Sequence, residues 1–257
     1  MVKFAQYLAH GEVAYGVVEN NVVYQITTTP FEEYEVTDHT HPLDHVELLS
    51  PIYPNKVLAI ALNYVSHLGK TGAAPRAQPE KPEPFWKSSG AVIGPDEEII
   101  IPRDAGRVEA EGELVIVIGR EGKHIPKADA LDYVLGYTCG IDVSARVWQK
   151  GDVQWWRAKG SDTFAPLGPF ITTDLDPSKL HLITRVNGEV KQEAPTSDLI
   201  FDVPTIVSFI SEVVTLEAGD VIYTGTPGIP PVIEPGDTVE VEVTEIGVLR
   251  NSVVSDE

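Results

Sequence analysis

Val108-Glu109-Ala110-Glu111-Gly112-Glu113-Leu114-Val115-Ile116-Val117-Ile118 sets three carboxylates at alternate positions of an otherwise apolar run. Such a run reads as a β-strand, in which successive side chains point to opposite faces. Glu109, Glu111 and Glu113 therefore project the same way, roughly 6.5–7 Å between neighbours. Val108, Ala110, Leu114, Ile116 and Ile118 take the other face. Carboxylates aligned on one face repel unless water screens them or a cation binds among them. Oxygen ligands without Cys or His suit Mg²⁺, Mn²⁺ or Ca²⁺ rather than zinc. The strand alone leaves two readings open: a solvated acidic face, or one wall of a cation site.

The rest of the chain bounds these readings. At 257 residues and 42% hydrophobic, it can build a sizeable core, as one large domain or as a small domain beside a larger one. Twenty Pro and 21 Gly fit a loop-rich β fold better than a helical bundle. The net charge of −20 argues against nucleic acid and against an anionic membrane surface as partners. It also makes local cations or a metal more necessary if the substrate is an acid. Cys139, the only cysteine, excludes an internal disulfide and a cysteine-rich zinc site, and its apolar surroundings read as packing. The start, Met1 to Tyr7, alternates like a strand rather than a leader, and no segment approaches the roughly 18–20 apolar residues of a membrane span. A cytoplasmic protein is the expectation.

Phe4–Leu8, Val13–Val18 and Val22–Ile26 read as strands of a small β domain over residues 1–50, with Asn20-Asn21 as a primed turn. Thr27–Pro51 is polar, and its His39, His41 and His45 read as part of a solvated linker rather than a metal site. Residues 51–257 read as the larger domain. In it Lys56–Leu62 is a buried strand, and Asn63–Pro84 is a long Gly/Ala/Pro-rich connection of the kind that is disordered or serves as a lid. Order restarts at Phe85-Trp86-Lys87 and Ala91–Gly94. Further strands fall at Glu97–Ile101, Gly136–Ile141, Val221–Tyr223, Thr238–Val243 and Val248–Asn251. Asn187-Gly188 is a strong hairpin signal between Ile183–Val186 and Glu189–Gln192. Helices are expected at Lys127–Tyr133, Val143–Lys150 and Val203–Val214, the last with Pro204 in its first turn. No G-x-G-x-x-G, complete P-loop, H-E-x-x-H or G-x-S-x-G occurs, so dinucleotide binding and the commonest metalloprotease and serine-hydrolase signatures have no support.

A helix over Val143–Lys150 sets Asp142 at a strand-to-helix junction, where it either caps the helix or closes a cation site. Asp142, Arg146 and Gln149 are then spaced i, i+4 and i+7 on one helix face. An acid, a guanidinium and an amide together could hold a metal and an anionic substrate, or could be a cap followed by a surface ion pair.

At this stretch the chain resembles the fumarylacetoacetate hydrolase family. The matching runs include Leu62-Asn63-Tyr64-Val65-Ser66-His67, Phe85-Trp86-Lys87, Glu111-Gly112-Glu113, Gly136–Gln149 and Lys159-Gly160-Ser161-Asp162. Val186-Asn187-Gly188 and Thr224-Gly225-Thr226-Pro227 continue them, in the family's order, within residues 56 to 251. The resemblance implies an α+β, β-rich fold: a rolled mixed β-sheet catalytic domain with flanking short helices, plus a small N-terminal β domain, in a homodimer. It implies Mg²⁺ or Mn²⁺ on Glu111, Glu113 and Asp142 (with Ca²⁺ possible in crystals), and leaves Glu109 a neighbour. Lys159 matches the family's active-site lysine, His67 the histidine of its catalytic loop, and Arg146, Gln149 and Thr226 its substrate-contacting positions.

The implied substrate is a small β-keto or 2,4-diketo acid, and the implied reaction is C–C bond hydrolysis of the fumarylacetoacetate or acylpyruvate type. Alternatives are oxaloacetate-type decarboxylation, isomerisation or decarboxylation of a 2-hydroxyhepta-2,4-diene-1,7-dioate type, and a catalytically silent metal-binding dimer. Two departures bear on the choice. Many members carry Glu three residues after the histidine, where this chain has Lys70, and Gly228-Ile229-Pro230-Pro231 replaces the usual Ala-Gly-Val-Gly. Either Glu80, Glu83 or another acid partners His67, or hydrolysis is weak and the reactions that need no attacking water gain weight.

Overall fold

The computed structural model describes residues 1–69 and 77–256. The N-terminal strands β1 (Lys3–Ala9), β2 (Glu12–Glu19) and β3 (Val22–Ile26) form an antiparallel meander. Asn20 and Asn21 join the last two at φ 48° and 65°, the left-handed pair that a primed turn demands. Thr27–Pro51 is not a linker. It contains β4 (Val36–Pro42), paired with β3, and β5 (Glu47–Leu48), paired with β1. β4 ends the sheet, so most of its side chains face water, and an edge strand of that kind carries the polar composition of a loop.

The chain continues through β6 (Val57–Ala61), β7 (Glu83–Lys87), β8 (Val92–Ile93), β9 (Glu98–Ile101), β10 (Val108–Ile118) and β11 (Val134–Ala145). After them come β12 (Ala165–Thr172), β13 (His181–Val186), β14 (Glu189–Pro195), β15 (Val221–Tyr223), β16 (Thr238–Val243) and β17 (Gly247–Ser255). The α-helices are short: α1 (Arg146–Gly151), α2 (Trp156–Gly160) and α3 (Val203–Ser211). Two mixed sheets result. The larger runs β4-β3-β2-β1-β12-β11-β10-β15-β6-β7, so the N-terminal meander continues the main sheet through β1 and β12. The smaller runs β14-β13-β16-β17-β9. Parallel pairs at β6/β15, β8/β12 and β9/β17 sit among antiparallel ones, the β-rich α+β architecture expected.

All eleven residues of β10 are buried, so its acidic face is not a solvated one. The second sheet lies against it so closely that a Cβ on Gly112 would meet Thr184 Oγ1 at 2.0 Å. Only glycine fits there. Cys139 packs in the same core, and burial pushes its thiol up to about 12, as befits packing rather than chemistry.

The helix expected at Val143–Lys150 starts three residues late. β11 runs on through Ala145, pairing Val143 with Ala110 and Ala145 with Val108. Long-range pairing outweighs the local helical pattern, and Asp142 lies inside the strand rather than at a cap; no side chain caps α1. Lys127–Tyr133 is a 3-10 helix, and α3 ends at Ser211. The Asn187-Gly188 hairpin forms as read, between β13 and β14. Within the long connection Val65–His67 makes one 3-10 turn; the rest of the lid expectation falls partly on residues 70–76, outside the described residues. Among the described residues no helix is long and apolar enough to cross a membrane.

Candidate active site

Antiparallel register sets Glu111 directly opposite Asp142 and Glu113 opposite Gly140. Opposed residues share a face, and Glu113, two positions on from Glu111, returns to that face. One carboxylate oxygen from each of Glu111, Glu113 and Asp142 lies within 4.8 Å of the others. All three are buried, at 5%, 2% and 1% exposure.

Buried carboxylates must be compensated. Lys159, from α2, donates to Glu111 Oε2 at 2.6 Å and to Asp142 Oδ2. Lys87, the last residue of β7, donates to Asp142 Oδ1 at 2.6 Å and to the Lys159 carbonyl. Arg146, at the head of α1, reaches Glu111 Oε1 through Nη2 at 2.5 Å and Glu109 Oε2 through Nε at 2.6 Å. Its Nη1 donates to Gln149 Oε1 at 2.8 Å. Glu109 is held by Arg107 and Arg146 and stands apart from the cluster of three.

The charges do not balance evenly. Burial works against an ionised Glu111, but the cations of Arg146 and Lys159 outweigh it and hold its carboxyl well below the usual range. Burial likewise opposes the charge on Lys159, and Asp142 and Glu111 more than restore it, so its pKa rises. Glu113 has less help, a backbone N–H and the more distant Lys159 charge. Its Oε2 accepts from the Gly225 N–H at 2.5 Å, and among the described residues no cation touches it. Burial, then the charges of Asp142 and Glu111, push its carboxyl well above the usual range. Three converging oxygen donors, one of them short of a counter-charge, fit a hard divalent cation.

His67 stands on the 3-10 turn after β6 and is 6% exposed. Leu62 turns the chain there at φ 59°, and Asn63 pins the turn by donating to Thr224 O at 2.7 Å and accepting from Phe201 N at 2.7 Å. His67 Nδ1 lies 2.8 Å from the Gly228 carbonyl. A carbonyl only accepts, so Nδ1 carries the hydrogen, and in the neutral ring Nε2 keeps its lone pair, 3.9 Å from Glu111 Oε1. Glu80 and Glu83 are exposed, and the ring's hydrogen bond goes to the carbonyl instead; Lys70 lies outside the described residues.

All eight residues singled out from the sequence line one cavity of about 350 Å³: His67, Glu111, Glu113, Asp142, Arg146, Gln149, Lys159 and Thr226. Ile60, Phe85 and Trp155 supply an apolar wall, Phe85 meeting Trp155 edge to face at 5.3 Å. Asp142, Arg146 and Gln149 do gather, but from the end of a strand and the start of a helix rather than from one helix face. Sequence reading gave Lys87 no role, although a lysine closing the apolar Phe85-Trp86 pair is the signal that could have marked it. Gln192 was likewise read only as a hairpin position.

Residues 56–254 match the family model described as fumarylacetoacetate (FAA) hydrolase C-terminal, and residues 2–51 match the Rv2993c-like N-terminal model. The chain belongs to the fumarylacetoacetate hydrolase family, which includes hydrolases, isomerases and tautomerases. It is 46% identical to a 5-carboxymethyl-2-hydroxymuconate delta-isomerase from Mycobacterium smegmatis, with a TM-score of 0.92 over 99% of this chain and 100% of that one. It is 37% identical over 262 residues to a human mitochondrial oxaloacetate tautomerase, covering 97% of this chain and 79% of the relative. It is 29% identical to a maleylpyruvate hydrolase from Sphingobium sp. SYK-6, whose structure is in complex with manganese(II) and pyruvate (TM-score 0.82, 99% and 100% of the two chains).

Proposed function

We propose that this chain is a Mg²⁺- or Mn²⁺-dependent enzyme that moves a proton on a small keto acid, interconverting enol and keto forms of oxaloacetate-like or hydroxydiene-dioate-like substrates. The observation that carries this reading is the His67 ring, its Nδ1–H committed to a backbone carbonyl and its basic Nε2 facing the carboxylate cluster. The likeness to an isomerase and a tautomerase supports it.

Glu111, Glu113 and Asp142 would hold the cation. When bound, it supplies Lewis-acid polarisation of a chelating keto acid. The chain's own groups do the rest. His67 Nε2 takes the proton from carbon or enol oxygen and returns it to the other of the two, and the nearby Glu111 carboxylate steadies the imidazolium in between. Lys159, kept charged by Asp142 and Glu111, offers its ammonium where enolate charge develops. The carbonyl oxygen of Gln149 is spent on Arg146, and its amide N–H groups, with no partner among the described residues, would orient the substrate acid. Thr226 donates its hydroxyl hydrogen to Gly112 O at 2.9 Å, so it meets the substrate as an acceptor and as shape. Phe85 and Trp155 keep water from that side.

C–C bond hydrolysis is the second reading, supported by the likeness to a maleylpyruvate hydrolase. It asks His67 to activate water, a task helped by a carboxylate on Nδ1 where this ring has a carbonyl. Paired assays with Mn²⁺ separate the two: oxaloacetate enol–keto interconversion, and acylpyruvate hydrolysis. Glu111→Ala and Asp142→Ala should abolish turnover, and His67→Ala should lower tautomerisation by about 10²–10⁴-fold. Full activity in excess EDTA, or in either acid variant, would sink the reading; hydrolysis outpacing tautomerisation would favour the second.

A further inference from the structure

Gly112 lies between the two glutamates of β10, at a point where the strand has lost one neighbour. β15 pairs with β10 only at Val115–Val117, so the outward N–H and C=O of Gly112 need other partners. Gln192, from β14 in the second sheet and 4% exposed, supplies one: its Oε1 accepts from Gly112 N at 3.3 Å. Thr226 supplies the other, donating from Oγ1 to Gly112 O at 2.9 Å. The amide nitrogen of Gln192 then donates both hydrogens, to Thr226 Oγ1 at 2.8 Å and to the Pro227 carbonyl at 2.5 Å. The next carbonyl along, that of Gly228, receives the His67 Nδ1–H.

One buried side chain thus joins the backbone that spaces Glu111 from Glu113 to the peptide next to the one whose carbonyl meets His67. We propose that Gln192 is a positioning residue for both halves of the site, holding the two glutamates in register through Gly112 and Thr226 and aiming the Gly228 carbonyl at His67 through Pro227. This rests on the metal-assisted proton transfer proposed above. Removing a hydrogen bond that orients a metal ligand typically costs about 10–100-fold in metal affinity or activity, and Gln192 acts on the backbone between two such ligands.

The test compares wild type, Gln192→Met, which keeps length but no hydrogen bonds, and Leu182→Ala, which loosens the same sheet from its fully buried core. The readouts are Mn²⁺ affinity by calorimetry, kcat and KM, and ¹⁵N-histidine spectra of the metal-free protein. Gln192→Met should bind Mn²⁺ roughly 10–100-fold more weakly and lose kcat to a similar degree. Its His67 signals should shift from one Nδ1–H tautomer to a mixture. Leu182→Ala should lose thermal stability while keeping wild-type Mn²⁺ affinity and the wild-type histidine spectrum. Wild-type affinity and spectrum in Gln192→Met, or both defects in Leu182→Ala, would overturn the proposal.

If Gln192→Met does not fold, Gln192→Glu takes its place. It keeps an acceptor for Gly112 N–H but has no hydrogens for Thr226 and Pro227 once ionised, so the tautomer change should persist; an unchanged spectrum overturns the proposal. A wild type that binds no Mn²⁺ would remove the functional reading, and the ¹⁵N spectra would still decide whether Gln192 governs His67.

Discussion

Lys87 carries its ammonium into the interior, with no exposed side-chain surface. Burial alone makes such a charge costly and lowers its pKa, and the Asp142 carboxylate opposes that fall. The pair is therefore more a matter of mutual need than of surplus stability: removing Asp142 strands Lys87 in a low-dielectric site, and removing Lys87 leaves Lys159 alone against Asp142. Lys87→Met should lower the stability of the metal-free protein by about 1.5–3 kcal/mol, because Asp142 loses one of its two ammonium partners and keeps only Lys159. Denaturant unfolding with and without Mn²⁺ checks this, since a cation on Asp142 should recover part of the loss. A metal-free variant as stable as wild type would remove Lys87 from the charge balance. Beyond its place after Phe85-Trp86 nothing local marks this residue, because its partners are 55 and 72 positions away in the chain.

At the scale of elements, register did what propensity could not. Val143, Ser144 and Ala145 read equally as the first turn of a helix, yet pairing with β10 keeps them extended and carries Asp142 to the position opposite Glu111. The opposite case is α3, whose start was legible from Pro204 in its first turn; the structure adds the cap, Asp202, whose Oδ1 accepts from Thr205 N at 2.9 Å. Burial pushes the Asp202 carboxyl up, but bonds from Thr205 and the Lys127 ammonium outweigh it and hold the pKa below the usual range. A depressed folded pKa stabilises the fold above the unfolded value, about 3.9, and this contribution is lost as pH falls through the folded one. Asp202→Ala should therefore cost about 1 kcal/mol at pH 7, with the gap to wild type closing in acid. Urea titrations at pH 7 and pH 3 would show it, and an equal gap at both would rule out the ionised cap.

For the whole molecule, the acid cluster is buried on the face of the first sheet that lines the cavity, so its charge repulsion is a cost to folding itself. A cation that binds the folded chain alone stabilises it by mass action, about 2.7 kcal/mol at one hundred times Kd. For a chain of this size that corresponds to a rise in Tm of roughly 5–10 °C. Differential scanning calorimetry with Mn²⁺ and then EDTA should find the rise and its reversal; an unmoved Tm would mean that the three carboxylates hold no ion.

Local pattern was enough to show which side chains share a face and which donor atoms they offer. Alternation in Val108–Ile118 set Glu111 and Glu113 side by side, an all-oxygen pair, and Asn187-Gly188 announced its hairpin. Those readings depend on neighbours within a few bonds, where backbone geometry leaves little choice. Whether the acidic face met water or protein was another matter. Tertiary structure settled that by setting Lys87, Arg146 and Lys159 against it while the second sheet closes the opposite face at Gly112, and by bringing Gln192 from that sheet to the strand's edge. Contacts of that reach depend on how whole sheets stack, which periodicity within one strand does not encode.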